Sequence, residues 1–256
     1  MYVFPFGAKL QKVEQTDRST KSHFILGVYA SAVHAKWIDV SGKVKVKALA
    51  VASEPYIFWR GDGVEEVIER LNKNVPEEVG RLETTQNKFN GPSGDALDEK
   101  YLKPLKLTRE DCWLSDIIPF SRLNPNQQKA IEREYSPLTK KYNLPECTIP
   151  YFSKAELNDA TRCQEILTEL KLSKADTIIL LGDEPIKHFL KFYCENKYRR
   201  LTDFGDSPSD YGRKIQIGID RKKYTVIPLA HPRQVNKLGK SSMKWFERHE
   251  TWINQI

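Results

Sequence analysis

Three places in this chain set a side chain with proton or hydrogen-bonding chemistry at the end of an apolar run. Asp116 follows Cys112-Trp113-Leu114-Ser115. His231 follows the run from Tyr224 to Ala230 and precedes Pro232. Tyr29 closes the run from His23 and opens a stretch of small residues, Ala30-Ser31-Ala32, that ends on His34 and Trp37. An ionised carboxylate accepts hydrogen bonds and cannot donate them. A phenol with a pKa of about 10 is a poor base at neutral pH. Small side chains let a ligand approach the backbone. Before a proline, at a strand end, His231 reads either as a structural imidazole or as a catalytic one.

The elements that must position these groups read as strands and helices in alternation. Four short apolar runs, 23–29, 112–118, 176–181 and 224–230, have the continuous pattern of buried parallel strands. Residues 215–219 pair with the last of them around Asp220-Arg221-Lys222. Residues 43–52 alternate Lys and Val at first, the period of a half-exposed strand. Apolar residues at 64, 67, 68 and 71 form a helical stripe, with Asp62 as its N-cap. The polar stretch 84–100, centred on Asn90-Gly91-Pro92-Ser93-Gly94-Asp95, reads as a loop. Helices are expected from about 126, from a Ser153-x-x-Glu156 capping box to 172, from Asp183 to Tyr193, and over 241–254. The fold expected is a single α/β domain over 1–256, a three-layer α/β/α arrangement with a central, mostly parallel four-stranded sheet. Ligands bind beyond the carboxyl ends of such strands. The ends at Tyr29–His34, Asp116–Pro119 and His231–Gln234 can therefore meet at one crevice.

Whole-chain quantities narrow the function class. The 256 residues are 39% apolar and carry a formal charge of +7, which favours a polyanionic partner such as nucleic acid. The four cysteines fit no CxxC spacing, so no zinc or iron–sulfur site is expected, and free thiols in a reducing cytoplasm are. Met1-Tyr2-Val3-Phe4-Pro5-Phe6 lacks a basic leader region, and no apolar run is long enough to span a bilayer. A cytoplasmic, soluble protein without membrane contact is expected.

Taken in order, these motifs resemble the uracil-DNA glycosylase superfamily over about 23–235. The features are a strand ending in a Gly27-initiated loop, an aromatic before the Gly61-Asp62 helix start, a strand ending at Asp116, and a strand ending in His231-Pro232. The resemblance implies hydrolysis of an N-glycosidic bond on a nucleotide flipped out of DNA, by a monomer without metal or organic cofactor.

Residue by residue, Gly27-Val28-Tyr29-Ala30-Ser31-Ala32 resembles the family's first motif. Tyr29 stands where an Asp usually handles the attacking water, so Asp62, oriented by His34, or a backbone carbonyl near Ala30, is the replacement. Helix capping remains the other reading of Asp62, and packing by Trp37 the other reading of His34. Ser31 stands where the family's Tyr walls off C5 substituents, which opens the pocket to a C5 group. Asp116 stands where an Asn reads uracil. A carboxylate accepts from the N4 amine of cytosine and repels uracil O4; the alternative is a turn cap with Ser121 or Asn124. Phe58 or Trp59 would stack on the base, Phe58 matching better. His231 resembles the histidine that donates to O2 of the leaving base. Arg233 and Gln234 would enter the minor groove, and Lys237, Lys240, Ser241 and Ser242 would hold phosphates. Together these imply an antiphage-defence glycosylase acting on cytosine with a bulky C5 modification, such as glucosylated hydroxymethylcytosine. A uracil glycosylase and a non-catalytic DNA sensor are the alternatives.

Overall fold

The computed structural model describes residues 1–194, 197–238 and 242–256. In chain order its strands are β1 (His23–Tyr29), β2 (Ala32–Ile38), β3 (Val44–Ser53), β4 (Arg81–Thr84), β5 (Cys112–Ile118), β6 (Thr177–Leu181), β7 (Ile215–Ile219) and β8 (Lys222–Leu229). Its helices are α1 (Val64–Asn72), α2 (Pro92–Ala96), α3 (Pro125–Ala130), α4 (Ser136–Thr139), α5 (Ala160–Ser173), α6 (Asp183–Phe189), α7 (Pro232–Val235) and α8 (Ser242–Ile253). Among the described residues no helix is long and apolar enough to cross a membrane. The chain divides into two compact units.

One unit comprises Glu14–Tyr29, Ser93–Pro119 and Lys154–Ile256. It holds a five-stranded sheet in the order β5-β1-β6-β8-β7. The first four strands are mutually parallel, and β7 runs antiparallel to β8. All seven residues of β5 are buried, as expected of a strand covered on both faces. Successive connections β5 to β6 and β6 to β8 move one way across the sheet, whereas β1 to β5 moves the other way. Right-handed crossovers in opposite directions place their helices on opposite faces, which gives the three layers. Helices α5 and α6 pack on β1 and β5. The expected four-stranded core is thus present, and the first arm of the hairpin joins it as a fifth strand. That strand alternates buried and exposed positions, because it lies at the edge.

The helix start placed at Ser153 is corrected. α5 begins at Ala160, where the Asp159 carboxylate accepts from the N–H groups of Thr161 and Arg162. Glu156–Asn158 forms only a 3-10 turn. The buried stripe Cys163, Ile166, Leu167 and Leu170 begins one turn after Asp159, so that cap has an apolar face to extend and Ser153 does not.

The other unit comprises Met1–Val13, Ala30–Pro92 and Phe120–Ser153. Its antiparallel sheet has the order β3-β2-β4. The small-residue segment after Tyr29, expected as a loop, is instead the central strand β2. Ala32, Ala35 and Trp37 all belong to this unit's buried core, and Phe6 meets the rings of Trp37 and Tyr135 edge-on with centroids 5.5 and 5.0 Å away. Low side-chain volume there reflects tight packing rather than a turn. Asp62 does not cap α1. The N-cap residue is Gly63 in the left-handed conformation (φ 68°), with no side-chain cap. The polar stretch 84–100 is only partly loop: it holds a 3-10 turn at Asn87–Phe89, then α2 and a π-helical turn Leu97–Leu102. α3 starts where expected, with a capping box between Asn124 and Gln127.

Candidate active site at the carboxyl edge of the parallel sheet

Four adjacent parallel strands end on one edge, and each brings one residue of interest there. β5 carries Asp116, β1 ends at Tyr29, β6 is followed by Gly182, and β8 is followed two residues later by His231. Gly182 adopts φ +96°, and its N–H donates to the Leu229 carbonyl at 2.7 Å. A Cβ at this position would lie 3.1 Å from Cβ of His231. Glycine is thus required both by the backbone angle and by the approach of the histidine.

Asp116 is 4% exposed. Its partner across β1 is Gly27, which puts no side chain beside it. Strand alternation sends the neighbouring Ser115 toward α5, where its hydroxyl donates to Glu169 at 2.6 Å. From the same helix Arg162 donates to the Asp116 carbonyl (Nη2, 2.8 Å), to the Ser115 hydroxyl (3.0 Å) and to Glu169 (2.7 Å). Arg162 therefore clamps the backbone of Asp116, not its carboxylate. Burial pushes the Asp116 pKa up to about 7, with Arg162 opposing and Glu169 adding. The expectation of an obligate acceptor is corrected accordingly: near neutral pH this carboxyl is a mixture of acid and carboxylate, and the acid form donates. Arg162 and Glu169 carry no signal in the sequence beyond ordinary helix charges.

His231 is the N-cap residue of α7. Its Nδ1 accepts from the Arg233 N–H at 3.1 Å, while its own N–H donates to Gln234 Oε1 at 3.3 Å. An imidazole that accepts at Nδ1 carries its hydrogen on Nε2. Burial, reinforced by the Arg233 charge, lowers its pKa to about 4, so the ring is a neutral Nε2–H donor. The residue before it is held from both sides. The Ala230 N–H donates to the Tyr211 hydroxyl at 2.9 Å, and the Tyr101 hydroxyl donates to the Ala230 carbonyl at 2.7 Å. Tyr211 in turn meets His249 Nδ1 at 2.6 Å, and His249 Nε2 meets the Lys100 carbonyl at 2.8 Å. Because that carbonyl only accepts, His249 donates from Nε2 and accepts the Tyr211 proton at Nδ1. Every hydrogen in this chain has one consistent direction. Sequence reasoning missed Tyr101, Tyr211 and His249, whose roles arise from backbone contacts.

Tyr29, Asp116, Arg233 and His231 come together within this unit. Tyr29 is 36% exposed, and partial desolvation raises its pKa, with Arg233 opposing and the Asp116 charge adding, which does not favour the phenol as a base. Gln234 stays beside His231. Arg233 Nε donates to the Leu238 carbonyl at 2.6 Å, and Lys237 Nζ lies 3.8 Å from the Phe246 ring centroid. Ser242 opens α8 and is buried. Lys240 and Ser241 lie outside the described residues.

The remaining candidates belong to the antiparallel unit. Ala30 is buried, Ser31 is exposed, and the Ser31 carbonyl accepts from the Ser121 hydroxyl. Ser121 thus bonds Ser31 rather than Asp116. His34 is a buried strand residue, not an orienter of Asp62. Its N–H donates to Asn90 Oδ1 at 2.8 Å, Asn90 Nδ2 donates back to its carbonyl at 2.9 Å, and its Nε2 faces the Gln127 amide. Burial lowers its pKa to about 4. The Asp62 carboxylate accepts from the Tyr56 hydroxyl, and the Trp59 indole donates to the Asp62 carbonyl at 2.8 Å. Trp59, 1% exposed, belongs to the core cluster. Phe58 holds a left-handed backbone (φ 52°), a costly conformation for a bulky residue that marks the segment as specially shaped.

Comparison with protein families matches the chain over residues 76–251 to the Uracil DNA glycosylase superfamily. The matched span holds Asp116, Gly182, His231 and Arg233, whereas Tyr29 to His34, Phe58 and Asp62 precede it. The comparison with curated proteins returned no match. With well over half its length aligned, and with a mostly parallel sheet presenting a buried carboxyl and a neutral imidazole on one edge, the chain belongs to the uracil DNA glycosylase superfamily, whose members are DNA glycosylases.

Proposed function

We propose that this protein hydrolyses the N-glycosidic bond of a flipped-out, C5-modified cytosine, leaving an abasic site, and that its biological target is viral DNA built with hydroxymethylated or glucosylated cytosine. The observation that carries the reading is Asp116, a buried carboxyl at the carboxyl end of the sheet's edge strand β5. In either protonation state it accepts from the N4 amine of cytosine, while only the acid form suits O4 of uracil. A matched bidentate pair discriminates by about 1–3 kcal/mol, and a buried mismatch costs more.

The other roles follow from motif order. By motif order alone the resemblance implies stacking on the base by Phe58, room for the C5 group at Ser31 and an approach along Tyr29 and Ala30, of which all but Tyr29 belong to the antiparallel unit. His231 donates from Nε2 to O2 as charge develops on the leaving base. Asp62, or a carbonyl near Ala30, positions the water. Arg233 and Gln234 fill the gap in the duplex, with Lys237, Lys240, Ser241 and Ser242 on the flanking phosphates. The reaction is monofunctional: water, not a lysine, attacks C1′.

The test is an excision assay on duplex and single-stranded DNA containing uracil, cytosine, hydroxymethylcytosine or glucosylated hydroxymethylcytosine, with alkaline cleavage of the abasic product. Excision confined to modified cytosine is expected. His231→Ala should lower the rate by about 10²-fold or more with DNA affinity nearly unchanged. Excision of uracil alone would replace the reading with base-excision repair, a second reading that the proton-holding Asp116 favours. DNA binding without any excision would make the protein a sensor.

A further inference from the structure

We propose that Asp116 is also the general acid of the reaction, passing its carboxyl proton to N3 of the flipped cytosine as the glycosidic bond breaks. The inference rests on the cytosine reading above and deepens it.

The geometry is that of a hydrogen-bonding group held still with its capacity unspent. Arg162 fixes the Asp116 backbone through its carbonyl, the cross-strand position is Gly27, and among the described residues no group hydrogen-bonds the carboxyl itself. The carboxyl oxygens are not among the fully buried side-chain atoms without a partner, so the 4% exposure left to Asp116 is where water, or a base in its place, reaches them. Around Asp116 the charges are Arg162 and Glu169 from α5. Tyr29 faces it from β1, with Arg233 of α7 beyond. Burial and Glu169 keep its proton in place up to about neutral pH.

Cytosine presents an amine donor at N4 beside a lone pair at N3. A carboxylic acid complements both: its carbonyl accepts from N4 and its O–H donates to N3. A carboxylate would instead set a lone pair against N3. Leaving-group chemistry needs the same proton. Charge departing on uracil spreads over two carbonyl oxygens, whereas cytosine has one, and the Nε2–H of His231 addresses that one alone. In the step proposed, the C1′–N1 bond breaks and its electron pair stays with the base. The proton moves from Asp116 to N3, so the base leaves as the neutral N3–H tautomer and Asp116 becomes a carboxylate. Water adds through oxygen to C1′, and the proton it releases restores the acid through solvent.

The deciding experiment is single-turnover excision of hydroxymethylcytosine from single-stranded DNA by the full-length protein between pH 5.5 and 9. The wild-type rate is expected to be level at low pH and to fall about tenfold per pH unit above about 7. Glu169→Gln, which removes a charge that favours protonation, should move that fall to lower pH, a displacement that loss of packing alone would not produce. Asp116→Asn, which offers the same donor–acceptor pair without a transferable proton, should bind the modified strand and leave it intact at every pH. A wild-type rate that stays level or rises from pH 7 to 9 would overturn the proton transfer while the glycosylase reading stood. Absence of hydroxymethylcytosine excision at all pH values, with uracil removed, would overturn both.

Discussion

Asp116 shows how a single side chain sets function against stability. Unfolded, its carboxyl ionises near the ordinary value of 3.8; folded, it keeps its proton to about 7. Folding stability is therefore lost as pH rises between those values, because the native state must either hold a proton the solvent no longer supplies or bury a charge. The cost at pH 8 is on the order of a few kcal/mol. Asp116→Asn should therefore melt higher than wild type at pH 8, with the gap closing toward pH 4. A melting difference independent of pH would mean that burial does not govern this carboxyl. His231 is shaped by the opposite requirement. Its Nδ1 is occupied by the Arg233 N–H, so the donor is committed to Nε2 without any carboxylate behind it. Gly182→Ala should push the histidine out of register, since the new Cβ would press on it at 3.1 Å. Excision is expected to drop by tenfold or more, read as a loss in the rate constant rather than in DNA affinity.

At the scale of elements, the carboxyl ends of parallel strands deliver the chemistry and the opposite layers hold it in place. α5 grips β5 through Arg162, and the π-helical turn, Tyr211 and α8 grip β8 through Ala230. Tyr211→Phe would leave the Ala230 N–H and His249 Nδ1 unpartnered. The expected result is a loss of about 1–3 kcal/mol in unfolding free energy, measured by urea titration, together with slower excision. Retention of both would remove the tyrosine from the account. The strands were legible because buried parallel strands are short continuous apolar runs: β1, β5 and β7 fall at the expected residues, and β6 and β8 within two of them. β2 was not, because alanines that serve tight packing look the same as alanines in a loop. Asp62 and Ser153 looked like caps, and both lost to neighbours that the helix stripe or a left-handed glycine favoured. Within the site, Asp116 and His231 were visible from their positions at run ends. Arg162, Tyr101, Tyr211 and His249 were not, because they bond to backbone, and backbone leaves no residue pattern.

For the molecule as a whole, three of the five histidines shape the response to acid, His34 and His249 buried and His231 half-buried. His34, His231 and His249 all have pKa values lowered to about 4 by burial. Each takes a proton near 6.5 when unfolded and resists it when folded, so stability is present above 6.5 and is lost as pH falls toward 4. Asp116 contributes in the opposite sense and offsets part of the loss. The melting temperature should therefore fall between pH 6.5 and 4; a constant or rising one would contradict the burial of these rings. The charge of +7 acts at longer range, drawing the protein to DNA in a salt-dependent way without choosing a base. The choice of base is assigned to one carboxyl. The measurement that bears on it most directly is a paired excision assay of wild type and Asp116→Asn on matched strands carrying hydroxymethylcytosine or uracil. The account predicts that wild type removes the modified cytosine and that the asparagine variant, which keeps the donor–acceptor pair and lacks the proton, leaves it intact. Undiminished removal of modified cytosine by the variant would show that Asp116 neither reads nor activates the base.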